Sequence, residues 1–233
     1  EEEDETVLQA AESILDASTN ILQPTRRLLW HYRSRHESLI AFSNHHFYSD
    51  NPLIVFPSPH PADPRYGVRF VGIEDGIFKN SRNVPEAKRI AQAVIKHMKT
   101  NRGESLGVVA MNNPQSELIA EEVDRLLKED PQAQSYLESY SNHSEPFFVK
   151  NLENVQGDER DVIFISFTYG RSEPGGRVAQ RFGPITHDVG WRRLNVLFTR
   201  AKNSVVAFSS MSSSDIRGGP DVSDGTRALK NYL

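Results

Sequence analysis

Two arginines far apart in the chain stand in the settings best suited to chemistry. Arg33 lies in LLWHYRSRHESLIAFSNHHFY (28–48) and Arg200 in RRLNVLFTRAK (192–202). A guanidinium presents five N–H donors in a rigid fork and grips phosphate oxygens two at a time. Tyr32, next to Arg33, carries a planar ring that can stack on a purine face. Between the arginines, NLENVQGDERDVIFISF (151–167) places Gly157 and Glu159 in a turn before an apolar run. A carboxylate there suits a sugar hydroxyl. A glycine suits a tight turn or a close backbone approach. Asn112, Asn113 and Asn151 carry amides that donate to phosphates or cap helices. Each of these has a plain reading as well. Arg33 reads as a surface charge, Tyr32 as a packed ring and Arg200 as a cation favoured at a helix C-terminus. Asp158 and Glu159 read as an exposed acidic turn, and Arg160 as a partner for Asp161.

The elements that would position these residues alternate along the chain. Apolar runs predict strands at Val68–Ile73, Leu106–Ala110, Phe147–Val149, Asp161–Phe167 and Val205–Phe208. Apolar residues at helical spacing predict helices at Thr6–Ala17, His36–Phe47, Pro85–Met98, Pro114–Lys128 and 192–202, with a short one inside 221–233. Five prolines between Asn51 and Tyr66 make that stretch mostly irregular, with a short edge strand at Leu53–Phe56. Short, uniformly apolar strands need cover on both faces. That predicts an α/β fold: a mostly parallel sheet flanked by helices. Ligands in such sheets collect at the C-terminal ends of the strands. No strand is followed by GxGxxG or GxxxxGK[ST], so a glycine loop for phosphates is missing. The loop from Tyr169 to Gly190 holds five glycines with Arg171, Arg177 and Arg181. A loop longer than about 15 residues is functional or disordered. This one reads either as a nucleic-acid edge or as a mobile excursion.

Composition narrows the classes. The net charge of −4 over 233 residues excludes a nucleic-acid binder that works by total charge, though not a local basic groove. With no cysteine there is neither a disulfide scaffold nor a Cys-based zinc site. The eight histidines are scattered, and adjacent His45 and His46 would diverge on a helix, so no metal site is expected. Asp158, Glu159 and Asp161 lack the metal-binding set or nucleophile–base pair that would define a hydrolase. No long apolar run suggests a membrane. The acidic start Glu1–Glu5 reads as a linker or helix start within a longer protein, and a cytoplasmic setting is expected.

Four segments in fixed order, the three quoted above and LGVVAMNNPQ (106–115), together resemble the second RecA-like domain of superfamily 1 helicases of the nonsense-mediated-decay type. The resemblance spans nearly the whole chain. It implies a RecA-like P-loop NTPase fold without its own P-loop, at 21–218. Residues 1–20 would then be an acidic start and helix leading from the first motor domain, and 219–233 a C-terminal extension. It also implies roles. Arg33 would reach the γ-phosphate and Arg200 would be the arginine finger. Tyr32 would stack on adenine and Glu159 would meet the ribose, with Gly157 in the same turn. Asn112, Asn113, Asn151 and Arg193 would meet the nucleic acid. Two places depart from the family: Asn151 replaces a small hydroxyl residue, and Met111-Asn112-Asn113 replaces a threonine-proline pair. The implied partners are single-stranded DNA or RNA and a first RecA-like domain of the same polypeptide, with no membrane. ATP and Mg2+ would serve the full-length protein, with none bound by this chain alone. The alternative is a non-catalytic nucleic-acid-binding module derived from such a helicase.

Overall fold

The computed structural model describes residues 14–22, 24–187 and 189–233. Contacts divide the chain into two units, 1–30 and 31–233. In the first unit the described element is helix α1, Ile14–Ile21. The rest of the helix expected over Thr6–Ala17 lies outside the described residues.

The second unit is built on five parallel strands in the order β1-β7-β6-β4-β5. They are β1 (Gly67–Gly72), β4 (Leu106–Ala110), β5 (Phe148–Asn151), β6 (Arg160–Ser166) and β7 (Ala201–Ser209). A small antiparallel hairpin, β2 (Phe78–Lys79) and β3 (Arg82–Asn83), stands apart from the sheet. Along β6, Val162 and Phe164 face one core while Ile163 and Ile165 face the other, the period-two alternation of a strand covered on both sides. The first core is closed by α3 (Val84–Thr100), α4 (Asn113–Leu127) and α5 (Pro131–Tyr140). The second is closed by α2 (Ser38–Phe47), α6 (Gly190–Phe198) and α7 (Asp224–Tyr232). This is the mixed α/β architecture, with a parallel sheet between helices, that the sequence pattern called for. Among the described residues no helix is long and apolar enough to cross a membrane.

Local chemistry explains the boundaries. Asn83, Asn112 and Asp130 each accept a hydrogen bond from a backbone N–H in the first turn of α3, α4 and α5, and each helix carries a proline in that turn. Three expectations are corrected. Leu53–Phe56 forms no strand; Ile54 makes an isolated bridge, its carbonyl accepting the His31 N–H at 3.0 Å, and the Asn44 side chain holds the backbone of Leu53. The helix expected over 192–202 ends at Phe198, because Ala201–Ser209 joins the sheet as an inner strand between β1 and β6. Arg200 therefore sits in the two-residue link between α6 and β7, not on the helix. And β7 starts earlier than its apolar stretch. Side chains meet its polar opening: Lys202 pairs with Glu145 and Asp161, and the Asn203 amide donates to Glu104.

Candidate functional site

Strands β6 and β7 are parallel neighbours, with Arg160 opposite Ala201. The residues just before them, Glu159 and Arg200, are thereby brought side by side at the N-terminal edge of the sheet. Arg33 completes the group from across the chain. Its Nε donates to Glu159 Oε2 at 2.7 Å and its Nη1 to the Thr199 carbonyl at 3.2 Å. Arg200 is folded against the same link: Nε donates to the Val196 carbonyl, Nη1 to the Asp158 carbonyl and Nη2 to Thr199 Oγ1. Counting five N–H donors per guanidinium, Arg33 keeps three and Arg200 two without a partner among the described residues. Burial, and then the positive charge of Arg33, pull the Arg200 pKa down, against the opposing pull of Glu159 and Asp158. Two like charges packed this closely favour an anion between them. Glu159 Oε1 has no partner among the described residues. Tyr32, the neighbour of Arg33, is 82% exposed. Gly157 has φ +91° with open space where a Cβ would stand, so the turn itself demands the glycine. Arg160 does not pair with Asp161. It is buried, donates to the Pro146 carbonyl and lies over the Phe148 ring at 4.5 Å. Asp161 instead accepts from Ser105.

The asparagines lie at the opposite edge. Asn112 and Asn113 follow the C-terminal end of β4, and Asn151 ends β5 in register with Ala110. Asn112 caps α4 and its amide donates to the Ser81 carbonyl at 3.1 Å. The Asn151 amide donates to Asn113 Oδ1 at 3.3 Å, while Asn113 itself donates to Glu117. Helix α6 runs back against the strands, so its first turn lies near this edge. There Arg193 approaches Glu153 at 3.9 Å, beside Asn151. Strand β6 is seven residues long, so roughly 20 Å separates the two edges. The asparagines lie at the C-terminal strand ends, where ligands are expected to collect. The arginine pair sits at the other end. Among the described residues no cluster of three or more His, Asp or Glu is placed to hold a metal ion.

Known proteins can now be set against this geometry. A match to the AAA domain family covers residues 10–212. The chain belongs to the AAA domain family. It is 40% identical over 211 residues to the uncharacterized ATP-dependent helicase MG140 of Mycoplasma genitalium, and 36% identical over 209 residues to the MG140 homolog of Mycoplasma pneumoniae. Each alignment covers 88% of this chain but 18% of the relative, so the chain spans under a fifth of their length. Among solved structures, the C-terminal domain of a possible DNA helicase from Lactobacillus plantarum WCFS1 aligns at a TM-score of 0.40 and 9% identity, covering 76% of this chain and 88% of that one. This AAA domain is thus homologous to a part of ATP-dependent helicases.

The AAA domain also holds residues that motif reading passed over. Thr199 anchors both arginines, through its carbonyl and its hydroxyl. Behind the C-terminal edge, Glu86 is wholly buried. It accepts from Ser166 Oγ, from the Thr168 N–H at 2.7 Å and from Ser210 Oγ. Burial, which outweighs these hydrogen bonds, pushes its pKa up to about 7. Asn83 donates to the Thr168 carbonyl at 3.1 Å, and Gln115 both receives the Asn83 N–H and donates to its carbonyl. The network holds Thr168 at φ +64°, a conformation that costs a β-branched residue energy. The Thr168 hydroxyl in turn receives the Met111 N–H. The ends of β4 and β6 and the starts of α3 and α4 are thus tied behind the asparagine row. The signal for it was Asn83-Val84-Pro85-Glu86, a cap residue followed three positions later by a carboxylate.

Proposed function

We propose that this AAA domain is the second motor domain of an ATP-dependent superfamily 1 helicase, completing a nucleotide site held by a first RecA-like domain. One observation carries the reading: Arg33 and Arg200, 167 residues apart in the chain, share Thr199 as an anchor at one sheet edge, with Glu159 of the neighbouring link paired to Arg33. The remaining N–H donors of the two guanidiniums match the oxygens of a phosphoryl group, so the residues present fit a nucleoside triphosphate. Bound ATP with Mg2+ supplies the phosphoanhydride to be cleaved, and the metal ligands would come from the first domain. In this chain Arg200 would leave its carbonyl contacts to meet charge developing on the transferred phosphoryl oxygens. Arg33, braced by Glu159, would hold the same group from the side. Tyr32 presents an uncovered ring for the base, and the free oxygen of Glu159 can accept from a ribose hydroxyl. At the far edge, Asn112, Asn113, Asn151 and Arg193 would meet the backbone of single-stranded DNA or RNA, with little base preference.

The test is ATP turnover in the longer protein that carries both domains. Arg33→Ala and Arg200→Ala should each lower it by roughly 10³ or more while the melting temperature holds. The isolated chain should show no measurable turnover. Near-normal turnover in both variants would remove the reading.

A further inference from the structure

We propose that the loop from Tyr169 to Gly190, with the segment that follows β7, forms a second site for the phosphodiester backbone of a single strand, separate from the asparagine row. The proposal rests on the reading that this sheet edge meets nucleic acid.

A basin of about 700 Å³ opens here, lined by Arg171, Arg177, Arg181 and Arg217 together with Gln180 and Asp215. Four arginines face one aspartate in a chain whose net charge is −4, so the cations are concentrated, not spread. Arg171 is pinned by Asp215 at 3.0 Å. The guanidiniums of Arg177, Arg181 and Arg217 have no partner among the described residues. The loop beneath them is built, not loose. The Phe78 N–H donates to the Arg171 carbonyl at 2.8 Å, and Arg171 also bridges to Val178. Gln180 donates to the Val178 and Asp215 carbonyls and accepts the Arg217 N–H at 2.8 Å. Phe182 and Ile185 are fully buried beneath. Arg177, Arg181 and Arg217 are exposed, so their charges are open to an incoming anion.

The lining selects the class of anion. Its only apolar side chains are Val178 and Ala179, and no aromatic ring faces it, so it has nothing on which to stack a base. Gly175 and Gly176 leave the rim without side chains, which lets a chain of phosphates come close. The basin follows the C-terminal ends of β6 and β7, while the asparagines follow β4 and β5. It therefore extends the same edge by about two strand spacings, roughly 10 Å.

The experiment is fluorescence anisotropy of labelled oligothymidylates of 6 and 20 nucleotides and of a labelled 20-base-pair duplex, titrated with salt, using the 233-residue chain and the triple variant Arg177→Ala, Arg181→Ala, Arg217→Ala. Each phosphate neutralised on a single strand adds about 0.7 to the slope of log K against log salt. The triple variant should therefore flatten both slopes by about 2, because even the 6-mer, at about 3.4 Å or more per nucleotide, is longer than the roughly 10 Å between the two sites. The corresponding triple lysine variant should restore most of the slope. An unchanged 20-mer slope and affinity in the alanine variant overturns the basin. A loss confined to a 20-base-pair duplex overturns the single-strand assignment. If the unmodified chain binds no oligonucleotide at all, the functional reading of this edge fails first, and that outcome is distinct from the other two.

Discussion

Glu86 lies wholly out of water behind the C-terminal ends of β6 and β7, and its charge is where pH enters this fold. The ordinary carboxyl value is 4.5 and burial raises it to about 7. The folded state thus favours the protonated form. The stabilisation is complete below pH 4.5, declines as pH climbs, and is gone above about 7. Each pH unit in that window is worth about 1.4 kcal/mol, so the full decline is about 3 kcal/mol. In a body of this size that corresponds to roughly 6–12 °C in melting temperature. Glu86→Gln keeps the shape and removes the titration. The measurement is thermal or urea unfolding of both proteins from pH 4.5 to 8, read as the difference between them. The subtraction cancels His97, whose pKa is lowered by burial and whose contribution has the opposite sign, being lost as pH falls through the 6.5 of a free histidine. The variant should gain on the parent protein by about 3 kcal/mol across the window. Parallel curves would mean that Glu86 does not change charge there, and the account of the network as a desolvated acid would be wrong.

Two further outcomes follow from single contacts. The Tyr232 ring lies flat on Phe198, with centroids 3.7 Å apart and planes 3° from parallel, so Tyr232→Ala should cost about 3 kcal/mol, read as a lower urea midpoint; an unmoved midpoint would detach α7 from the core. In the longer protein, Glu159→Gln and Arg33→Ala should lower ATP turnover non-additively, because the 2.7 Å contact makes them one unit; strictly additive losses would show that Glu159 does not act through Arg33.

Much of the fold could be read directly. LGVVA in β4 and VIFI in β6 are short apolar runs of strand length, and α3 and α4 show a helical stripe behind a proline and a capping asparagine. Other elements gave no such signal. Helix α5 buries only Ala133, Tyr136 and Tyr140 from a polar run, too narrow a stripe for periodicity to register. The hairpin strands β2 and β3 are two residues each, too short for alternation to register, and are joined through Asn80 and Ser81 at positive φ, a conformation that Asn favours but Ser does not announce. The Tyr169–Gly190 loop looked equally like a functional edge and a free excursion. Its order comes in part from Gln180 within it, which donates to the carbonyl of Asp215, 35 residues further along the chain.

By itself, the sequence determined which residues could act. It marked Arg33, Glu159 and Arg200 by type and motif, and the strands by their apolar runs, because these properties are local to a few neighbouring residues. Only the tertiary structure decided where they lie relative to one another. Glu159 and Arg200 meet because β6 and β7 pair in parallel with a particular register, and Arg33 reaches them across 126 residues of chain. The same pairing puts the asparagines and the arginine basin at the other end of the strands. Register and strand order arise from hydrogen bonds and packing between distant segments, and no window of sequence contains both partners.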